Sequence, residues 1–254
     1  MSWRKEIAMR TSVEKSMLIA DLQQQILQWQ GFKQIDKKDY KVGLGALENA
    51  FPGHVFPLGT LHEFISENKE EEAASSGFIG RLLSFLMQRG GVCLWINNSD
   101  QLFAPSIKSF GIDPDRIIFV QMKKQKDILW ALEEGLKCEG IRVVIAEVQD
   151  IDFVQSRRLQ LAVERSKVTG FVLRLQPRFF GATTCAARWH IRPLPSYVQG
   201  NIPGVGFPEW EVELLKVRNG NPSRWQVGWR QNQLQAKRLA LTSDHVYQDK
   251  RKVG

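Results

Sequence analysis

Between residues 61 and 176 the chain alternates short apolar runs with helical patterns of about a dozen residues, and this alternation restricts the fold more than any other feature. LHEFI, GVCLWIN, RIIFVQM, IRVVIAEV and GFVLRLQ read as strands. GFIGRLLSFLMQR, DILWALEEGLKCE and VQSRRLQLAVERSKV read as helices between them, with a further short helix near Pro105 to Phe110. Strands that are apolar along their whole length need cover on both faces, and helices crossing over between parallel strands supply it. The sequence therefore predicts an α/β fold with a mostly parallel twisted sheet flanked by helices. After Pro177 the pattern changes: RWHIRPL, WEVELLKVRNG and NPSRWQVGW read as strands, the last two joined by a turn at Asn219 to Pro222, with no helix between them. These form a predicted antiparallel β extension at the C-terminal end.

The flanks of this core read differently. Val13, Met17, Leu18, Leu22, Ile26, Leu27 and Trp29 fall mostly at helical spacing between Thr11 and Gln30, with Gly31 as the stop, and Asp36 to Lys41 suits a linker. Residues Gln231 to Gly254 are polar and net positive, end in DKRKVG, and read as a helix that frays into a tail. The expected organisation is an amphipathic helix and linker over 1–41, a core over 42–230 and a basic tail over 231–254. No stretch is long and apolar enough for a transmembrane helix. The basic start MSWRKEIAMRTSVEKS leads into DLQQQ instead of a secretory apolar segment, so a cytoplasmic protein is expected. Cys93, Cys138 and Cys185 are widely spaced with no CxxC pair, and only four histidines accompany them, so neither disulfides nor a metal site are indicated. A net charge of +8 fits an anionic partner such as nucleic acid and fits solubility equally well.

In an open α/β sheet an anion is expected at the loop after the first strand, where backbone N–H groups and a helix N-terminus converge. That segment reads SENKEEEAASSGFIG, taken as a loop up to Gly77. A working phosphate loop needs GxxxxGK[ST], with lysine on the phosphates and a hydroxyl on the magnesium ion. Here Gly77 is followed by Phe78 and Ile79, which can do neither. Glu67, Glu70, Glu71 and Glu72, read as a solvated loop, oppose a triphosphate by their sign.

The succession PLGTLHEFISENKEEEAASSGFIGRLL, VCLWINNSDQLFAPSIKSFGIDPDRIIF and IRVVIAEV is similar to the successive core segments of RecA recombinases, and Gly43, Gly45 and Leu47 match the phrase that opens them. Within that superfamily LGTLHEF, LWALEEGLK, the Glu147 carboxylate, SRRLQLA and LLKVRNGNPSRWQVGW resemble the ImuA family, RecA-like proteins associated with translesion mutagenesis. The likeness spans 42 to 230. It implies a RecA-like core in which Phe78 and Ile79 replace the phosphate-loop lysine and threonine, and in which the catalytic glutamate falls near Asn98 or Ser99. Only Glu147, in the Walker B place, keeps its acid, too little for phosphoryl transfer. The resemblance thus implies a pseudo-ATPase with no catalytic residues and no cofactor. SulA-like division inhibitors that bind FtsZ share the same superfamily and form the alternative, against which the β extension and basic tail count. A genuine RecA-like ATPase is a third reading, opposed by the missing lysine, threonine and glutamate.

The resemblance also points to binding residues. RecA proteins hold single-stranded DNA with two loops. The first is shortened here to QDIDF, and the second corresponds to QPRFFGATTCAARWHIRP. Arg178, Arg188 and Arg192 among Phe179, Phe180 and Trp189 combine phosphate contacts with base stacking; alternatively Trp189 and Ile191 are core and the arginines are ordinary surface charges. Arg157 and Arg158 open the SRRLQLA helix as a partner or phosphate contact, or as a solvated edge. Lys216 and Arg218 form a K-x-R pattern resembling residues that reach a neighbour's nucleotide in RecA filaments. Trp130 reads as core with Glu133 and Glu134 exposed, and Trp189, Trp210, Trp225 and Trp229 concentrate aromatic surface in the β extension. The expected role is a non-catalytic adaptor in damage-induced (SOS) translesion synthesis. The partners it implies are an ImuB-type Y-family polymerase homologue, a C-family DNA polymerase, RecA and single-stranded DNA. No membrane partner is expected, and the Thr11 to Gln30 helix is a candidate for self-association.

Overall fold

The computed structural model describes residues 42–88, 90–98, 108, 110–197, 206–230 and 233–240. Nine strands among them make one sheet: β1 (Leu61–Ser66), β2 (Val92–Asn97), β3 (Ile117–Gln121), β4 (Ile141–Val148), β5 (Thr169–Leu175), β6 (Ala187–Tyr197), β7 (Phe207–Val217), β8 (Ser223–Arg230) and β9 (Gln233–Leu239). Their order is β3-β2-β4-β5-β1-β6-β7-β8-β9. The first six run parallel, and β7, β8 and β9 follow antiparallel. Strand β6 joins the two halves, since it pairs parallel with β1 and antiparallel with β7. The expected parallel core and antiparallel extension are therefore one continuous sheet.

Helices α1 (Lys69–Leu86), α2 (Gln125–Lys137) and α3 (Phe153–Ser166) cover its two faces. Alternation along the strands sorts side chains between two apolar clusters. Phe64, Trp95, Val143, Ile145 and Phe171 face the cluster that includes Phe78, Leu82 and Leu83 of α1. Leu61, Ile96, Val144, Ala146 and Val172 face the one that includes Ile128, Leu132 and Leu136 of α2 and Leu159 and Val163 of α3. Asp152 and Gln155 close α3's N-terminus as a capping box.

Three sequence expectations are corrected. First, α1 starts at Lys69, eight residues before Gly77, because Asn68 caps it and three acids in its first turn favour its positive end. Second, residues 233–239 form a strand where a helix was expected. Leu234 and Ala236 pack on the first cluster while Gln235 and Lys237 alternate with them, a period of two, and the segment pairs with β8 from Arg224↔Leu239 to Arg230↔Gln233. Third, Trp130 is 61% exposed, because the buried face of α2 is the Ile128–Leu132–Leu136 stripe and Trp130 lies off it. The 11–30 helix, the linker and residues 241–254 lie outside the described residues, as does most of the 105–110 segment. No described helix is long and apolar enough to cross a membrane.

Candidate functional site at the C-terminal edge of the parallel strands

The place where an anion would be cradled lies where β1 hands over to α1. Two residues after β1 the chain is already helical, with the Asn68 side chain accepting from the Glu71 amide at 2.9 Å. Phe78 and Ile79 sit two turns inside α1 and are fully buried. The Phe78 ring lies 6.1 Å from that of Trp189 and 6.2 Å from that of Trp210. A Cβ at Gly77 would come within 3.2 Å of the Trp210 ring, so this glycine makes room for an indole. The segment expected as a loop up to Gly77 is helical from Lys69, and Gly77, Phe78 and Ile79 lie on its packed side.

The acids of this segment are not a solvated run. Glu71 and Glu72 are buried. The Glu71 carboxylate accepts from the Glu67 amide at 2.7 Å and from His190 Nε2 at 2.9 Å. Glu72 pairs with Lys69 at 2.7 Å and accepts from Gln176 Nε2 at 2.8 Å. Glu147, at the end of β4, accepts from Trp95 Nε1 at 3.1 Å. Burial raises its pKa above the usual carboxylate value, helped by the charge of Glu72 and opposed by hydrogen bonds from Trp95 and the Asn98 backbone. Asn98 is exposed after β2, and Ser99 lies outside the described residues. No group of three His, Cys, Asp or Glu side chains among the described residues is placed to hold a metal.

A different construction occupies the neighbouring rim, where the loop 176–186 leaves β5. Glu63 of β1 and Arg174 of β5 are fully buried and pair at 2.9 Å. The other Glu63 oxygen accepts from Thr183 Oγ1 and from Arg188 Nε, both at 2.8 Å. Arg174 also donates to the Phe179 carbonyl and lies 3.4 Å from Asp150. Asp150 in turn accepts from the Arg178 amide at 3.1 Å and from Arg178 Nε at 2.7 Å. Arg188 donates to the Gly181 carbonyl at 2.7 Å, Lys216 to Thr183 at 2.9 Å and Arg218 to Thr184 at 2.8 Å. The Thr184 amide donates to Ser156 of α3 at 3.1 Å. Burial lowers the Lys216 pKa, and Arg188 beside it adds to that. Four cations thus donate to carbonyls of this loop, while Asp150 and Ser156 accept from its amides and Glu63 from the Thr183 hydroxyl.

The sequence-derived candidates divide accordingly. Arg178 is 69% exposed, with Phe179 and Phe180 partly exposed beside it in the chain. Arg157 and Arg158 stand exposed on α3, Arg158 paired with Glu133 of α2 at 2.5 Å and Arg157 3.8 Å from Glu164. Trp189 is fully buried, its ring 5.6 Å from that of Phe51 and 6.0 Å from that of Phe64. Arg188, Lys216 and Arg218 hold the loop from within. Arg192 pairs with Glu211 and with Glu213, the latter at 3.1 Å, and donates to His190 Nδ1. Sequence reading passed over Glu63, Asp150 and Arg174, which set the loop, and Phe153 and Val154, exposed at the start of α3. A signal for the first group was present: Glu63 and Arg174 are charges inside otherwise apolar strands, and a charge there requires an opposite partner. The exposed rim of guanidinium and aromatic rings is suited to stacking on flat groups or receiving apolar side chains.

No protein-family model matches the chain. Two curated relatives, each named Protein ImuA and from Caulobacter vibrioides (strains NA1000 / CB15N and ATCC 19089 / CIP 103742 / CB 15), are 33% identical over 195 residues. The match covers 72% of this chain and 80% of each relative. The chain belongs to the ImuA family. Among solved structures, SulA from Pseudomonas aeruginosa is similar at a TM-score of 0.40 and 16% identity, over 47% of this chain and 99% of SulA. The filled α1 segment and the tethered 176–186 loop are accordingly features to look for in other ImuA proteins.

Proposed function

We propose that this protein is a non-catalytic, RecA-like adaptor of damage-induced translesion synthesis, and that it acts by holding partners on the rim formed by the 176–186 loop and α3. Membership of the ImuA family supports the process. The observation that carries the absence of catalysis is the burial of Phe78 and Ile79: a triphosphate needs a cation and a hydroxyl at these places, and they hold apolar side chains closed inside a core. Glu147 then serves as a buried hydrogen-bond acceptor for Trp95 and not as a ligand of magnesium. By resemblance the partners are an ImuB-type Y-family polymerase homologue, a C-family DNA polymerase and RecA, all met in the cytoplasm. Single-stranded DNA is a further ligand of the same rim, through Arg157, Arg158, Arg178, Phe179 and Phe180, with weak and strongly salt-dependent affinity.

Two measurements test this reading. Calorimetry with ATP and magnesium gives no saturable heat at concentrations up to about 100 μM, and turnover abolished by Glu147→Gln would sink the non-catalytic reading. Purification of tagged protein from DNA-damaged cells retains a Y-family polymerase homologue, and retention of FtsZ in its place would favour the division-inhibitor reading.

A further inference from the structure

At the end of the sheet opposite the antiparallel strands, β3 is the edge strand and leads through Met122, Lys123 and Lys124 into α2. Met122, Lys123, Lys124, Asp127 and Trp130 line an open notch there. Trp130 is the most exposed large aromatic among the described residues, while Met122 is partly buried against the α2–α3 cluster and forms the floor. Lys123, Lys124 and Lys126 are all exposed, and none has an ion-pair partner among the described residues. The first turn of α2 carries no side-chain cap and one acid, Asp127, so the positive end of the helix stands among three lysines and a single carboxylate.

Fold stability gives no reason for this arrangement. Trp130 lies off the buried stripe of α2, and its exposure leaves a large ring in water that a lysine or glutamine would spare. Three lysines within four residues outnumber the one acid beside them, Asp127, and repel one another on the native surface. An exposed indole and a half-buried thioether lining one notch, with lysines on one side, make the composition of an interface centre with a charged margin.

We propose that this notch binds an acidic peptide segment of a partner protein, seating an aromatic or leucine side chain against Trp130 and Met122 and placing flanking carboxylates on Lys123, Lys124 and Lys126. The alternative anionic ligand, single-stranded nucleic acid, is disfavoured by Asp127 in the lining, whose carboxylate would stand among successive phosphates. A peptide with a single apolar anchor needs positive charge on one side of Trp130 only, which is what the notch offers. The inference does not depend on the function proposed above, since none of the notch residues belongs to the 176–186 loop or to α3.

Selection of a random peptide library displayed on phage against the full chain tests it, with counter-selection against Trp130→Ala. Trp130-dependent binders should be enriched in Asp and Glu around one aromatic or leucine. A synthetic peptide of the consensus should bind at least about tenfold more weakly to Trp130→Ala and to Lys123→Glu/Lys124→Glu. All substituted positions are exposed, and unchanged thermal melting of both variants confirms that folding is not the cause. Failure to find any Trp130-dependent consensus, or a consensus without acidic bias, overturns the proposal. So does labelled oligo(dT) that binds more tightly than the selected peptides and loses that binding in Trp130→Ala.

Discussion

His62 and Glu63 are neighbours on β1 and both are fully buried, yet the two faces of the strand treat them in opposite ways. His62 faces α1, stacked on Phe56 at 4.5 Å and edge-on to Phe171 at 5.5 Å, and hydrogen-bonds the Pro57 carbonyl at 2.8 Å. Burial drives its pKa down to about 4, so it is held neutral. Glu63 faces the other side and is met by Arg174, Arg188 and Thr183. Around His62, Phe78 and Ile79 the α1 face packs rings and no charge, while its acids Glu71, Glu72 and Glu147 lie at the end of the strands. The opposite face concentrates charge and uses it to fix a loop. The α1 segment after β1 and the 176–186 loop after β5 lie at the same edge of the sheet, the first packed with rings and the second held by ion pairs.

The largest effect should come from forcing charge onto the apolar face. Introducing a lysine and a threonine with Phe78→Lys and Ile79→Thr puts an ammonium beside the rings of Trp189 and Trp210. It should cost more than about 4 kcal/mol, a large share of the about 5–15 kcal/mol that holds an ordinary domain together. Circular dichroism and urea denaturation should show loss of the cooperative transition without gain of ATP turnover. A folded double variant that binds ATP would show that the α1 face can open, and would break the comparison.

Removing charge from the polar face is the next test. Arg174→Met leaves Glu63 with a reduced set of donors and frees the Phe179 carbonyl, and loss of one member of a buried ion pair costs about 3–5 kcal/mol. Adding Glu63→Leu should recover part of that loss, because a buried pair replaced by apolar groups is often near neutral. Urea midpoints of the single and double variants decide the matter, and a double variant less stable than Arg174→Met would show that Glu63 acts mainly through Arg188 and Thr183.

How much of this could be read beforehand depends on whether the signal is local. Strands β1 to β8 and the three helices follow from period and length, because each buries its own stripe. The start of α1 was misplaced because the sequence SENKEEEAASSG reads as polar and small, whereas Asn68 and the acids that follow are a cap and a first turn. Residues 233–239 were misread because QLQAKRL carries only two apolar residues on its inward face, Leu234 and Ala236, and what makes it a strand is the open edge of β8. In the site, the apolar character of Phe78 and Ile79 is a local fact of the sequence, and their burial follows from the helical period of α1. The tether was not: Glu63 and Arg174 are 111 residues apart, and only the pairing of β1 with β5 brings them together.

A smaller and pH-dependent effect separates the faces again. His62 titrates near its ordinary value of 6.5 in the unfolded chain and at about 4 when folded, so between these values the unfolded chain binds more protons. Stability therefore falls as the pH drops from 6.5 towards 4, by up to about 1.4 kcal/mol per unit. Glu147 works the other way, since burial raises its pKa and protonation favours the folded state. The difference between wild type and His62→Gln isolates the histidine, because glutamine can still donate to Pro57. Unfolding free energies measured across this range should converge as the pH falls, and parallel curves would mean that the α1 face tolerates the imidazolium.

The smallest effect on stability, with the largest expected effect on binding, lies at the apex of the tethered loop. Phe179→Ala with Phe180→Ala removes two partly exposed rings and leaves the backbone contacts from Arg174, Arg188, Lys216 and Arg218 in place. Each change should move stability by no more than about 1 kcal/mol, the loss being contact between the Phe179 ring and the Arg174 guanidinium, 5.7 Å apart. If the polar face exists to present these rings, the double variant should melt like wild type, keep its resistance to limited proteolysis across 176–186, and lose the polymerase homologue in purifications from damaged cells. Arg174→Met should show the converse pattern, with the rings intact but the loop cut rapidly by protease. Equal cleavage of both variants would mean that the rings, and not the ion pairs, order the loop. Undiminished partner retention by Phe179→Ala/Phe180→Ala would move the binding rim to Phe153, Val154 and Arg157 of α3.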